Sequence, residues 1–267
     1  MKLQTVSVSL ALFAFLGAAN AAPAADLLPH RAYYDIRLKD SRWGSGISSL
    51  SGKLVVEFNN TCDGYTLNQR FVTQMGDSEG NLTVSDLWLT SWESADGKAF
   101  RFNLKNEVNG TVVESFQGRA RGGLVSYEGN DTKDVTLPRD AIFPTEHAVD
   151  LIEAALAGDT FVQRTIFDGS GEGEIYTSFA TIGREQPQDK RASSLEGVEG
   201  AEGIDARHVW PVTISYYPVT SEETLPEYEV SFLMYENGVS SHMVLDYGEF
   251  SVTGALTKIE PLPKPNC

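Results

Sequence analysis

Apolar and polar residues alternate along most of this chain with the period of two that a half-buried β-strand imposes. Ala32, Tyr34, Ile36 and Leu38 share one phase, with more polar neighbours between them. Phe100, Phe102 and Leu104 do the same, and Tyr65, Leu67, Gln69 and Phe71 follow the pattern less cleanly. Tight-turn dipeptides punctuate these runs: Asp63-Gly64, Asp96-Gly97, Asn109-Gly110 and Asn237-Gly238. Such pairs suit type I′ hairpins, whose two central residues both need positive φ. Asn237-Gly238 is a good example, with apolar-rich runs at 230–235 and 239–247 on either side. About a dozen candidate strands follow, in antiparallel meanders that predict a mainly β domain built as one large curved sheet or barrel.

One segment departs from this period. Pro144-Thr145-Glu146-His147 opens a helix over 145–157, with Ala148, Leu151, Ile152, Ala155 and Leu156 on one face. Thr145 is the expected N-cap, Glu146 sits near the positive helix end, and Gly158 terminates the helix. A helix this short is marginal alone in water, so its apolar face must be buried against the sheet. From 184 to 203 the chain becomes polar and rich in Gly, Glu and Ser. That composition predicts a mobile loop inserted in a single domain spanning 22–267.

Residues 1–21 read as a signal peptide. Lys2 precedes a short apolar run at 6–16, and Ala19-Asn20-Ala21 fits the small-residue cleavage pattern, so the mature chain is expected to begin at Ala22. The run is shorter than the ~20 apolar residues of a spanning helix, and no later stretch comes closer. The expectation is a soluble, exported, not membrane-spanning protein. The net charge is -16, and losing the leader removes one lysine and no acid, giving -17. Such a charge argues against nucleic acid and anionic lipid surfaces as partners. Cys62 and Cys267 both lie in the mature part. Two lone cysteines in an exported chain are expected to pair, which would pin a terminus stiffened by Pro261, Pro263 and Pro265.

The search for chemistry finds little. His30, His147, His208 and His242 are scattered, without the spacing of a zinc site. Asp168-Gly169-Ser170-Gly171 has Asp where a nucleophile elbow has its first Gly, and oxidised cysteines cannot attack as thiolates. The stretch 168–174 resembles the start of a calcium loop, but the twelfth position is Phe179 instead of a bidentate acid. A Gly-rich turn between two strands explains it better. Trp43, Trp88, Trp92 and Trp210 are expected to be core more than cleft lining. Four N-x-T triplets, starting at Asn59, Asn81, Asn109 and Asn130, would matter only in a eukaryotic secretory pathway. The reading is a non-enzyme with no catalytic residues, cofactor or metal.

Several stretches together resemble the EipB family of periplasmic cell-envelope integrity proteins of Gram-negative bacteria. They are Leu28-Pro29-His30-Arg31-Ala32-x-Tyr34, Gly44-Ser45-Gly46-Ile47 and Cys62-Asp63-Gly64-Tyr65-Thr66 with Gln69-Arg70. Ser91-Trp92-Glu93-Ser94-x-Asp96-Gly97-Lys98, Phe143-Pro144-Thr145-Glu146-His147 and Phe167-Asp168-Gly169-Ser170 follow in order, and Cys267 extends the match to the end. The resemblance implies a β-spiral, an incomplete antiparallel barrel with one helix packed against it, and a Cys62–Cys267 disulfide. It implies periplasmic localisation, a role in envelope integrity and antibiotic tolerance, and partnership with a periplasmic tetratricopeptide-repeat protein. It carries over no catalytic residues. Three readings follow: a scaffold or binding module; a carrier of a lipid, lipoprotein or acylated partner in a concave apolar cleft; and, with least support, a hydrolase using a carboxylate pair.

Overall fold

The computed structural model describes residues 26–128, 134–204 and 207–267. The expected leader and its cleavage point lie outside these residues, as does Asn130. Fifteen strands form one sheet. The first eight are β1 (His30–Ser41), β2 (Ile47–Thr61), β3 (Gly64–Asp77), β4 (Leu82–Ser94), β5 (Ala99–Val108), β6 (Thr111–Arg121), β7 (Leu124–Tyr127) and β8 (Val135–Thr136). Then come β9 (Ala141–Ile142), α1 (Pro144–Ala157), β10 (Phe161–Ile166), β11 (Tyr176–Ile182) and α2 (Gln188–Ser193). β12 (Val209–Pro218), β13 (Tyr228–Tyr235), β14 (Ser240–Asp246) and β15 (Phe250–Pro261) complete the chain.

The order is β8-β7-β6-β5-β4-β3-β2-β1-β15-β14-β13-β12-β11-β10-β9, so two meanders meet at the β1–β15 pair. All pairings are antiparallel except β9 with β10. The edges β8 and β9 are not paired with each other, yet only residues 137–140 separate them in the chain. Such a connector spans at most about 18 Å, so the sheet must curl until its edges approach. It is a mainly β spiral left open along one seam.

Directly opposed residues share a face of a sheet, which lets the inner face be followed across the register. One row runs Ala32, Val56, Gln69, Leu89, Leu104, Phe116 across β1 to β6. On the other side a row runs Leu38, Val252, Leu245, Val230, Ile214, Ala180, Val162. α1 packs on the far end of this second row: Leu151, Ile152 and Ala155 join Val162, Ala180, Trp210, Val212 and Ile214 in one cluster, with Phe58 of β2 against it. Both wings therefore touch the helix side. A second cluster, with Phe100, Phe102, Ala120 and Val125 from one wing and Phe143 and Phe167 from the other, fills the seam that backbone pairing leaves open.

Three local expectations are corrected. Of the four dipeptides, only Asn109-Gly110 has both residues at positive φ (50° and 76°), while in Asp96-Gly97 and Asn237-Gly238 only the glycine does. At Asp63-Gly64 the turn residues are Cys62 and Asp63, because Thr61 pairs with Gly64, already in β3. Of the four tryptophans, Trp210 is core, but Trp43 is fully exposed. Trp88 and Trp92 lie beneath cations, with the guanidiniums of Arg70 and Arg101 each 4.9 Å from the respective ring. Finally, the polar stretch 184–203 is not an unstructured insertion. It carries α2 and a 3-10 turn (Ala201–Gly203), and Leu195, Val198 and Ala201 pack on the cluster containing Tyr235 and Ile259. The Glu199 amide donates to Thr257 at 3.1 Å and its carbonyl accepts from Ile259 at 2.8 Å, anchoring the stretch along β15. Its few apolar residues, spaced by three, carry that anchoring.

Candidate functional site

Three of the stretches singled out in the sequence meet at one corner of the spiral: 62–66, 91–98 and 143–147. The helix explains why. α1 begins with Pro144 at its first turn, so the residue before it, Phe143, is the N-cap (φ -105°, ψ 168°) and offers no side-chain acceptor. Thr145 is thus inside the helix and not its cap. Pro144 lacks an N–H, but those of Thr145 and Glu146 still need partners. Glu93 of β4 supplies them: its Oε2 accepts from the Thr145 amide at 2.7 Å and its Oε1 from the Glu146 amide at 3.0 Å. Glu93 is 4% exposed and faces the interior, opposite Phe100 in the register. Burial raises its pKa above the ordinary carboxylate value, and the two amides pull in the opposite direction. A carboxylate from one wing thus caps the helix carried by the other.

The same corner crowds the backbone. A Cβ on Gly64 would lie 2.0 Å from the Glu93 carbonyl oxygen, so the strand pairing requires glycine there. The Ala95 amide donates to the Asp63 carbonyl at 3.0 Å. One residue away, Cys62 bonds Cys267 with a Cα–Cα distance of 5.6 Å. The tail that brings Cys267 there donates from the Leu262 amide to Pro29 at 2.8 Å, and Lys264 Nζ reaches Asp26 Oδ2 at 2.6 Å. The disulfide therefore ties the end of β15 to the β2–β3 turn, across β1, where the two meanders join.

His147 points the other way along α1. It is 5% exposed, and its Nε2 is 3.3 Å from Ser178 Oγ on β11. Burial lowers its pKa to about 4, with Asp150 opposing and Arg164 reinforcing the shift. The helix closes at Gly158 (φ 84°), whose amide donates to Ala155, and Leu156 is exposed, not on the packed face. His30 is buried with Nδ1 2.7 Å from the Leu28 carbonyl, His208 is half-buried and stacked on Trp210 at 5.8 Å, and His242 is exposed. The histidines do not converge.

Beyond the helix, the inner face stays partly open. Leu87, Leu89 and Val230 are half-buried there, as are Val56, Phe71, Met243 and Leu245, which border the cluster containing Tyr235 and Ile259. Their strands place them on the face that α1 covers only at its far end. Next to them an aromatic series runs along the second wing: Tyr176, Tyr216 and Tyr228, the last two stacked at 4.5 Å, then Tyr247 and Phe250 at 5.1 Å. The Tyr176 hydroxyl donates to Glu174 at 2.7 Å, and Glu227 lies 3.3 Å away, both carboxylates belonging to exposed residues. The loop 168–174 is the turn between β10 and β11, and among the described residues no three metal-ligating side chains cluster. The arrangement can seat apolar chains; the serine hydroxyls that lie beside histidines, Ser178 at His147 and Ser241 at His242, are themselves buried.

The architecture matches known proteins. The EipB-like family model aligns with residues 21–263. The chain belongs to that family. A relative, the cell envelope integrity protein EipB of Brucella abortus (strain 2308), is 37% identical over 252 residues, 92% of this chain and 88% of the relative. The crystal structure of a β-barrel-like protein of unknown function from Brucella abortus superposes with a TM-score of 0.81 at 37% identity. It covers 90% of this chain and 100% of its own. Family membership and fold thus agree with the resemblance read from the corner motifs. Glu93 belongs to one of those motifs, the stretch 91–98. Its inward phase after Leu87, Leu89 and Ser91 was the available signal, because a carboxylate on that phase must find donors.

Proposed function

We propose that this protein maintains cell-envelope integrity as an exported, non-enzymatic binding module of the periplasm, entering it after cleavage of residues 1–21. The family relationship and a disulfide suited to an oxidising compartment support the location and role. The observation that carries the molecular reading is the corner where Glu93, α1 and Cys62–Cys267 fasten two wings of one sheet. Such a clasp presets a concave surface for contact; it forms no bonds with a substrate. Deleting the gene in its native host and challenging cells with detergent and β-lactams tests the role. Raised sensitivity, reversed by the intact gene, is expected, and unchanged sensitivity refutes it. The partnership with a tetratricopeptide-repeat protein belongs to this proposal and is tested by co-purification from the periplasm.

A second reading is favoured by the half-buried apolar rows at Phe71, Leu87, Leu89, Met243 and Leu245. They form a lining for a lipid chain or acylated partner, since apolar concavities bury most of a ligand's surface. Native mass spectrometry of periplasmic material is expected to show a co-purifying lipid mass. Only the bare polypeptide mass would contradict the carrier reading and leave the scaffold.

A further inference from the structure

The edge of the first wing carries a second feature, a cleft whose lining runs from the outward row of β5 and β6 to Phe100, Phe102 and Phe143 of the seam cluster. An open cleft of about 1550 Å³ lies over β5 and β6, bounded by the β4–β5 turn, the β6–β7 hairpin and the connection after β8. Lys98, Arg101, Arg119, Arg121 and Arg139 all line it, in a chain whose net charge is -16. The register gives Trp92, Arg101 and Arg119 one row, on the face opposite Phe100 and Ala120. Arg101 and Arg119 are therefore directly opposed, a placement that repels when nothing lies between like charges.

The local carboxylates do not relieve it. Asp96 is engaged by Lys98 at 3.2 Å and by the Ser94 hydroxyl, and Glu128 accepts from Gln117 Nε2 at 2.7 Å. Arg101 lies over Trp92. Arg119, Arg121 and Arg139 make no ion pair among the described residues. Some guanidiniums elsewhere on the sheet are matched, Arg31 with Glu57 and Arg70 with Asp86, while Arg37 of β1 stands singly without four like neighbours around one cleft. A chain with 37 acidic residues had ample means to neutralise this row, yet leaves it basic.

We infer that this cleft binds a phosphate-bearing anion, gripped by Arg101, Arg119, Arg121 and Arg139 with Trp92 as an apolar wall. Guanidinium forks match the oxygens of phosphate, and several cations favour a group with two or more negative charges over a single carboxylate. The strongly negative remainder of the protein repels an extended anionic surface, so the cleft selects a discrete group. That group can sit on a soluble phosphate or on a lipid headgroup.

The test uses the mature protein. Inorganic pyrophosphate is titrated by calorimetry at low and high salt, and vesicles of phosphatidylcholine with or without phosphatidic acid are tested by flotation. Saturable, salt-sensitive binding is expected, weakened at least roughly tenfold in the Arg101→Gln/Arg119→Gln double variant, as loss of charged hydrogen bonds implies. Arg70→Gln, at a matched arginine on another strand, is expected to bind as the parent does. The double variant should melt close to the parent, because the repulsion removed offsets the lost Arg101–Trp92 contact. Binding by pyrophosphate identifies a soluble anion, and phosphatidic-acid-dependent flotation lost in the double variant identifies a headgroup; either supports the site. No binding in both assays, or binding unchanged in the double variant, overturns it.

Discussion

Replacing Glu93 by alanine probes the coupling between the two wings directly. The substitution removes both acceptors from the first turn of α1, leaving the amides of Thr145 and Glu146 buried beside β4 without partners. Hydrogen bonds to a charged group contribute about 1.5–3 kcal/mol each. Against that gain stands the cost of keeping the carboxylate out of water, which disappears with the side chain and which the raised pKa reveals. The net loss is expected at about 2–4 kcal/mol, read by urea denaturation, with a melting point roughly 4–15 °C lower for a protein of this size. Glu93→Gln keeps one acceptor but turns an NH2 toward an amide donor, so it should lose about half as much. The pH dependence has a definite sign. A carboxyl whose folded pKa is raised gives its full contribution below the unfolded value and loses it as pH rises through the folded value. The gap between parent and Glu93→Ala should therefore be wider near pH 4 than at pH 7. A loss below about 0.5 kcal/mol would refute the capping argument, and a gap that widens toward neutral pH would refute the raised carboxyl pKa.

His147, held neutral by burial, has a folded pKa of about 4 against an ordinary 6.5. Its contribution is present above pH 6.5 and is lost as pH falls through 4, about 3 kcal/mol at the limit. Acid titration of stability should show that slope in the parent and a shallower one in His147→Gln. Cys267→Ser opens a loop of 205 residues' separation. The chain-entropy ceiling is about 5 kcal/mol, and a loss of about 2–5 kcal/mol is expected by denaturation, matched by the parent under reductant. Gly64→Ala forces a methyl against the Glu93 carbonyl, and backbone cannot yield as a side chain does. A loss of about 2 kcal/mol is expected, whereas equal stability would mean the β3–β4 approach is looser than described.

The strands were legible because alternation survives wherever one face is buried, as at Ala32, Tyr34 and Ile36 or Phe100, Phe102 and Leu104. The helix was legible too, within one residue, but its cap was not. Thr145 has the right chemistry, yet Pro144 pre-sets the first turn and moves the cap to Phe143, leaving the donors to a residue some fifty positions upstream. No local rule reaches that far. The 184–203 segment misled for a related reason: its polar composition hides Leu195 and Val198, whose spacing matters only once β15 is beside them. The basic row was invisible along the chain, because Arg101 and Arg119 become neighbours only through the β5–β6 register. The order of the two wings was equally beyond local patterning, since the β1–β15 pair joins the most distant strands of the chain.

A preset apolar concavity in this spiral, the feature the proposed binding role depends on, is tested most directly by a neutral environment-sensitive probe. Titrating N-phenylnaphthylamine into the mature protein should give saturable fluorescence enhancement, abolished in Leu89→Asp while far-UV circular dichroism is retained. No enhancement with the parent protein, or enhancement that Leu89→Asp leaves unchanged, would contradict the claim.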